Sequence, residues 1–243
     1  MPIHNFCQHR QPRKPCQPFP MHLVCDFDST LFNTEKIWSE WLEILVGLGV
    51  DREVAIKQMG ILNAIGWTHR AHALMCGISE SEVDTLVQNF LVHAQSIGSS
   101  LVYDDVVPFF EKHRPPHTFS ILTYGNAEYQ RSKIASTGLN DYFDTIRIAG
   151  PNNLKVTVLR EMLSETPSFI RRGLGGGQVM GQGEVCPIAF VDDSPNELNP
   201  IVDAGLPIQL YRIVRPGAKH DYAHERDDVA WKRIGSIGEI EIE

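Results

Sequence analysis

Four short apolar runs that alternate with helical stretches in the second half of the chain constrain its fold more than any other feature. Phe119 to Leu122, Thr145 to Ile148, Pro187 to Val191 and Ile208 to Val214 read as buried strands. Between them, residues 127–137, 154–163 and 195–202 read as helices. Strands separated by helices lie parallel, with the helices covering the faces of the sheet. One more run, His22 to Cys25, adds a strand near the start of the chain. On open sheets of this kind ligands bind beyond the carboxyl ends of the strands, so the residues just past each strand carry the functional information.

Between the first two strands the pattern is helical. Ile37, Trp41, Ile44, Leu45 and Leu48 recur at three- and four-residue steps and make one apolar face. Further helices are expected over 53–62, 68–76 and 79–97, the last with Ser79 and Glu82 at capping-box spacing. No strand interrupts residues 33–101, which therefore read as an all-helical insert between two core segments, 21–32 and 102–243. A helix from Tyr103 to His113 leads through Pro115 and Pro116 back to the sheet. Residues 1–20 hold basic and proline residues without a continuous apolar segment and are expected to form a disordered tail. Residues 165–185 are glycine-rich, lack hydrophobic periodicity and contain no G-x-x-x-x-G-K-[ST], so a flexible insertion in the core is expected there.

Composition excludes several classes of function. A net charge of -8 gives no electrostatic footprint for nucleic acid. No apolar run approaches the length of a bilayer span. The five cysteines are scattered, without a C-x-x-C pair, which fits free thiols in a reducing compartment and, without a signal segment, a cytoplasmic protein. At 243 residues the chain is long enough for a core domain with a smaller inserted one.

The strand ends carry acids. The stretch LVCDFDSTLF places Asp26 and Asp28 just past the first strand; Thr123 follows the second, Lys155 opens a later helix, and Asp192 and Asp193 follow the fourth. Acids at i and i+2 along an extended backbone face the same side. Neighbouring charges then raise the pKa of one and keep the other ionised, which separates an acid from a nucleophile. Taken alone, Asp28, Ser29 or Thr30 serves equally well as a cap for the following helix. A calcium loop starting at Asp26 fails, because Leu31 and Ile37 stand where glycine and glutamate are needed. A two-component receiver domain uses the same residue types, but its acidic pair comes first in the chain, not last.

DFDST at Asp26 to Thr30, ILTYGN ending the second strand, Lys155, and VDDSPNEL at Val191 to Leu198 resemble the four motifs of haloacid dehalogenase-like (HAD) hydrolases. The likeness extends from about His22 to Val214, and the helical insert is similar to that family's C1-type cap. It implies an α/β, Rossmann-like, three-layer core with an all-helical cap, and a Mg²⁺-dependent phosphatase acting on small phosphorylated metabolites. In such enzymes the residue matching Asp26 attacks phosphorus, and the one matching Asp28 donates and later accepts a proton. Thr123 and Lys155 hold the phosphoryl group. The implied Mg²⁺ contacts are the Asp26 carboxylate, the Asp28 backbone carbonyl and Asp193, with Asp192 beside them and Glu197 as a secondary candidate. Substrate contacts are expected from Thr123, Tyr124, Gly125, Asn126 and Lys155, and from Arg70 in the insert. The family's dehalogenases lack the second aspartate, which favours phosphatase chemistry here. Alternatives are a phosphomutase of the same family and a non-catalytic binding or regulatory protein on the same fold. The chain departs from relatives that have K-P-x-P at Lys155 and G-D-S where Asp192 stands. In the insert, Trp67, His69, Arg70 and His72 form a candidate specificity surface, with packing for the Trp and a solvated face for the histidines as the commoner alternative, whereas Trp38, Trp41 and Cys25 read as packing residues. A monomer or homodimer is expected, with neither nucleic acid nor membrane as partner.

Overall fold

The computed structural model describes residues 20–242 except 66, 174–187, 222, 224, 227, 229 and 230. Strand β1 (His22–Cys25) is followed by four helices, α1 (Thr34–Gly47), α2 (Arg52–Ile65), α3 (His69–Met75) and α4 (Glu80–Ile97), and then by α5 (Val106–His113) and β2 (Thr118–Tyr124). Helix and strand then alternate through α6 (Ala127–Ser136), β3 (Thr145–Ala149), α7 (Lys155–Gly173), β4 (Ile188–Asp192), α8 (Pro195–Asp203), β5 (Ile208–Ile213) and β6 (Lys232–Ile234). Among the described residues the strands form one sheet in the order β3-β2-β1-β4-β5-β6, with each neighbouring pair parallel. The chain winds from β1 to one edge and returns to cover the other. The loops after β1, β2 and β4 therefore part at the centre of the carboxyl edge and leave a crevice.

Alternation along the strands builds the two cores. Leu23, Cys25, Ile121 and Val191 pack into one cluster, Val24, Leu122 and Phe190 into the other, where Val158 and Leu159 of α7 and Leu198 of α8 meet them. Each such side chain removed from water contributes roughly 1.5–3 kcal/mol, which fixes the helical layers to the sheet. The first cluster continues into the insert through Ile37, Trp41, Leu45, Val83 and Phe90. The two chain crossings of the insert lie side by side. Phe32 bridges Val102, Asn33 N–H donates to Leu101 O at 2.7 Å, and Tyr103 N–H donates to Leu31 O at 3.1 Å.

Several expectations are corrected. Asn33 caps α1, its side chain accepting from Lys36 N–H at 3.0 Å, so Asp28, Ser29 and Thr30 are free of that duty. Ser79 precedes α4 but makes no side-chain cap; its hydroxyl bonds the Glu82 carboxylate instead of a backbone N–H. Helix α5 begins at Val106, not Tyr103. Helix α7 runs on to Gly173, into the stretch expected to be a loose insertion from 165; residues 174–185 of that stretch, and residues 1–19 of the expected tail, lie outside the described residues. Cys25 and Cys76 are free thiols, while Cys7, Cys16 and Cys186 fall outside the described residues. No helix among the described residues is long and apolar enough to cross a membrane.

Candidate active site

The loop after β1 turns sharply. Asp26 N–H still donates to Val191 O at 2.8 Å, which extends the pairing with β4 by one residue and aims the Asp26 side chain at the carboxyl edge. Ser29 then takes a positive φ of 55°, a costly conformation for a residue with a Cβ, and its N–H is held by Phe32 O and Thr34 Oγ1. On the other side of the crevice β4 ends at Asp192, and Asp193 opens the turn into α8.

Ligand atoms of Asp26, Asp192 and Asp193 lie within 4.8 Å of one another, all three residues buried. Lys155, at the start of α7, donates to Asp26 Oδ1 at 2.6 Å and to Asp192 Oδ2 at 2.7 Å. Asp192 Oδ1 also accepts from Ser194 N–H at 2.8 Å, so both its oxygens are engaged by the protein. Asp193 Oδ2 is buried and has no partner. Burial pushes Asp26 up to about 7 against the pull of Lys155, with Asp192 and Asp28 adding to the rise. Asp193 is pushed up to about 9 by burial and by the charges of Asp192 and Asp26. Asp192 is raised by burial in spite of Lys155. Burial alone would lower Lys155, but Asp192 and Asp26 outweigh it and raise its pKa. With all three carboxyls ionised beside one ammonium, two negative charges are left unbalanced, which is the charge of a divalent cation; without such a cation that repulsion and burial favour the protonated forms.

Asp28 stands differently. Its Oδ1 accepts from Thr34 Oγ1 at 2.6 Å and pairs with the Lys133 ammonium, and its Oδ2 accepts from Gln130 Nε2 at 2.8 Å. Burial pushes this carboxyl up, but Lys133 and the two hydrogen bonds overcome that push and hold it below the usual carboxylate range. Gln130 and Lys133 sit three residues apart on one face of α6. Sequence reasoning missed both, since a three-residue spacing on α6 does not by itself say which face of the helix meets Asp28.

Asp26, Asp28, Lys155, Asp192 and Asp193 line a cavity of about 540 Å³, whereas Gln130 and Lys133 stand outside it. Thr123 and Tyr124 reach it, and the buried Thr123 hydroxyl has no protein partner. Glu197 also lines it. Gly125 and Asn126 do not; Asn126 caps α6 by accepting from Tyr129 N–H at 3.0 Å, and Gly125, at φ 142°, lets the Gln130 side chain pack against the backbone. Arg70 is also placed elsewhere. It is exposed and paired with Asp84 at 2.9 Å and with Glu80, both on α4, because an arginine on the outer face of α3 finds acids nearer than the cavity. His69 and His72 are buried, not solvated: Trp41 Nε1 donates to His72 Nδ1 at 2.9 Å, and His72 Nε2 donates to Ala55 O at 2.8 Å. Trp41 is core, as expected, but Trp38 lines the cavity. Glu35, Lys219 and His220 line it too. The last two follow β5, a strand end that the sequence reading left uninspected.

No protein-family model matches the chain, and no curated protein matches it. Solved structures do. A haloacid dehalogenase-like family hydrolase from Xanthomonas campestris superposes with a TM-score of 0.58 at 14% identity, over 90% of this chain and 92% of that one. A Bacillus subtilis protein described as a HAD-hydrolase and bound to magnesium gives 0.62 at 13%, over 92% and 97%. A HAD phosphatase from Thermococcus onnurineus gives 0.52 at 20%, over 90% and 95%. At such identities the likeness establishes a common fold.

Proposed function

We propose that this chain, which has the haloacid dehalogenase-like fold, is a Mg²⁺-dependent phosphatase that hydrolyses phosphomonoesters through an aspartyl-phosphate on Asp26. The observation that carries the reading is the convergence of Asp26, Asp192 and Asp193 on Lys155 at the floor of one cavity, with an unpartnered oxygen on Asp193. An all-oxygen donor set with two surplus negative charges fits Mg²⁺. Asp26 and Asp193 would hold it, with the Asp28 carbonyl that the family resemblance implies, while Asp192 keeps Lys155 and the turn in place. When bound, the ion supplies charge neutralisation for the nucleophile and the phosphoryl oxygens.

The chain's own groups do the rest. The Asp26 carboxylate attacks phosphorus, the bond from phosphorus to the leaving oxygen breaks, and Asp28 in its protonated form gives that oxygen a proton. Water then attacks the phosphorus of the aspartyl-phosphate and passes a proton to the Asp28 carboxylate; the bond from phosphorus to the Asp26 oxygen breaks, which restores the carboxylate and frees phosphate. Lys155 and the Thr123 hydroxyl receive the phosphoryl oxygens. In this structure Asp28 is held as the carboxylate against α6, the form the second step requires; for the first step it must exchange Lys133 for the substrate. The helices between β1 and β2 act as a cap that keeps water from the reacting atoms. The free thiols of Cys25 and Cys76 suit a cytoplasmic enzyme.

The test is turnover of an aryl phosphate by the protein and by Asp26→Asn, with Mg²⁺ and with a chelator. Activity that needs the ion and falls at least about a thousandfold in the variant supports the reading. Retained activity in Asp26→Asn overturns it. Product analysis with a sugar phosphate separates release of free phosphate from transfer to a second hydroxyl.

A further inference from the structure

Helix α1 carries two apolar stripes, and the second, packed at the edge of the core, also borders the cavity. Ile37, Trp41 and Leu45 enter the core. One position further round, Trp38 and Leu42 are half-buried and face the cavity, joined there by Met59 of α2. Trp38 is held in place from behind. Trp67 stands edge-on to it with centroids 4.2 Å apart, and His69 stacks at 6.2 Å. A braced aromatic ring beside two flexible apolar side chains is a surface for a flat apolar body.

The charges on this side of the cavity point the same way. Among the described residues the insert lends it no cation: Arg70 is paired on the outer face, and burial, with Lys133 and His72, lowers His69 to about 3, so it stays neutral. The insert's charged contribution is Glu35, which accepts from Lys219 N–H at 2.6 Å and from Ser29 Oγ at 3.0 Å. Away from Lys155, the cationic side chain on the wall is Lys219, while burial and the charges of Lys219, Arg212 and Lys155 lower His220. On the insert's side of the cavity a second phosphate or carboxylate on the substrate would thus lie against Trp38, Leu42, Met59 and Glu35, and among the described residues its one cationic neighbour away from Lys155 would be Lys219, whose backbone is tied to that acid. A cavity of about 540 Å³ falls within the range of small-molecule sites and holds more than a phosphoryl group.

We infer that the site selects phosphomonoesters whose leaving group is uncharged and aromatic, stacked on Trp38 between Leu42 and Met59. This inference rests on the phosphomonoester reading above. Three alkyl esters with similar leaving groups, phenethyl phosphate, glycerol phosphate and fructose bisphosphate, test it through kcat/KM, since their intrinsic reactivities differ little. Phenethyl phosphate is expected to lead by about tenfold or more. Trp38→Ala should lower its kcat/KM about tenfold more than that of glycerol phosphate, and Leu42→Gln, a milder change, should shift the ratio in the same direction. A lead for either polar ester, or equal losses for all substrates in both variants, overturns the inference. Calorimetric binding of phenethylphosphonate against hydroxypropylphosphonate, neither of which can be hydrolysed, separates the two readings. Preferential binding of the aromatic phosphonate without turnover of any ester would sink the catalytic reading and keep this one. Turnover of esters without that binding preference would do the reverse.

Discussion

The Asp28 carboxylate depends on a lysine that is itself confined. Lys133 is only 10% exposed in its side chain, and its ammonium lies 5.3–5.5 Å from the ring centroids of Phe27, Phe32 and Tyr129 while pairing with Asp28. Such an enclosure restricts where the ammonium can go, and with it where the carboxylate rests. Lys133→Met keeps the apolar stem and removes the charge. The kcat for an alkyl phosphate is then expected to fall about tenfold or more, and that for an aryl phosphate much less, because a good leaving group needs little help from a proton donor. Equal losses on the two substrates would remove Lys133 from this role. The acids themselves were legible in the sequence, since a strand of period two that stops at D-x-D or V-D-D has few places to put those side chains. Lys133 and Gln130 were not, because which face of α6 meets Asp28 is decided by packing. Trp38 was read only in part for a related reason: it packs against the core cluster as expected, but the apolar residues of α1 fill two adjacent stripes, and spacing alone does not tell which of them also borders the cavity.

Elements were legible where their periodicity was long. The five strands read from the sequence stand within a few residues of the expected positions, and four helices do fill the interval between β1 and α5. Strand β6, Lys232–Ile234, escaped because three residues, two of them charged, carry no alternation signal; it is defined by pairing with β5. Where the insert returns to the core, Gly98 passes close to α6. A Cβ there would lie 2.2 Å from Ser136 Oγ and 2.6 Å from Ser136 O, and the backbone oxygen cannot rotate away. Gly98→Ala is therefore expected to cost roughly 1–3 kcal/mol by forcing the end of α4 off α6, read as a lower urea midpoint. Gly60→Ala, which meets nothing within 4 Å in the middle of α2, is the control and should be neutral or slightly stabilising.

For the molecule as a whole, the acid cluster ties stability to pH and, in the function proposed above, to Mg²⁺. Folded Asp26 and Asp193 keep their protons up to about 7 and about 9, whereas the unfolded chain loses them near 3.8. Between those limits the folded state binds more protons, so its stability falls as pH rises. Above pH 6.5 the buried His22 and His69 are neutral both folded and unfolded and drop out of the balance. The metal-free protein is therefore expected to lose about 1 kcal/mol of stability per pH unit from pH 7 to pH 9, read as a falling Tm. Mg²⁺ should raise Tm more at pH 9 than at pH 6, and Asp193→Asn should flatten both trends. A Tm insensitive to pH in this range, with and without the ion, would mean that neither Asp26 nor Asp193 titrates within it.

The sheet order has a consequence for biosynthesis. Strand β1 leaves the ribosome first, yet its partners are Thr118–Tyr124 on one side and Ile188–Asp192 on the other, so its backbone waits unpaired while most of the chain is still being translated. At roughly 5–20 residues per second that wait is on the order of ten seconds or more. The nascent protein must shelter an apolar strand for that time, and Asp26 cannot meet Asp192 and Asp193 until β4 has been made.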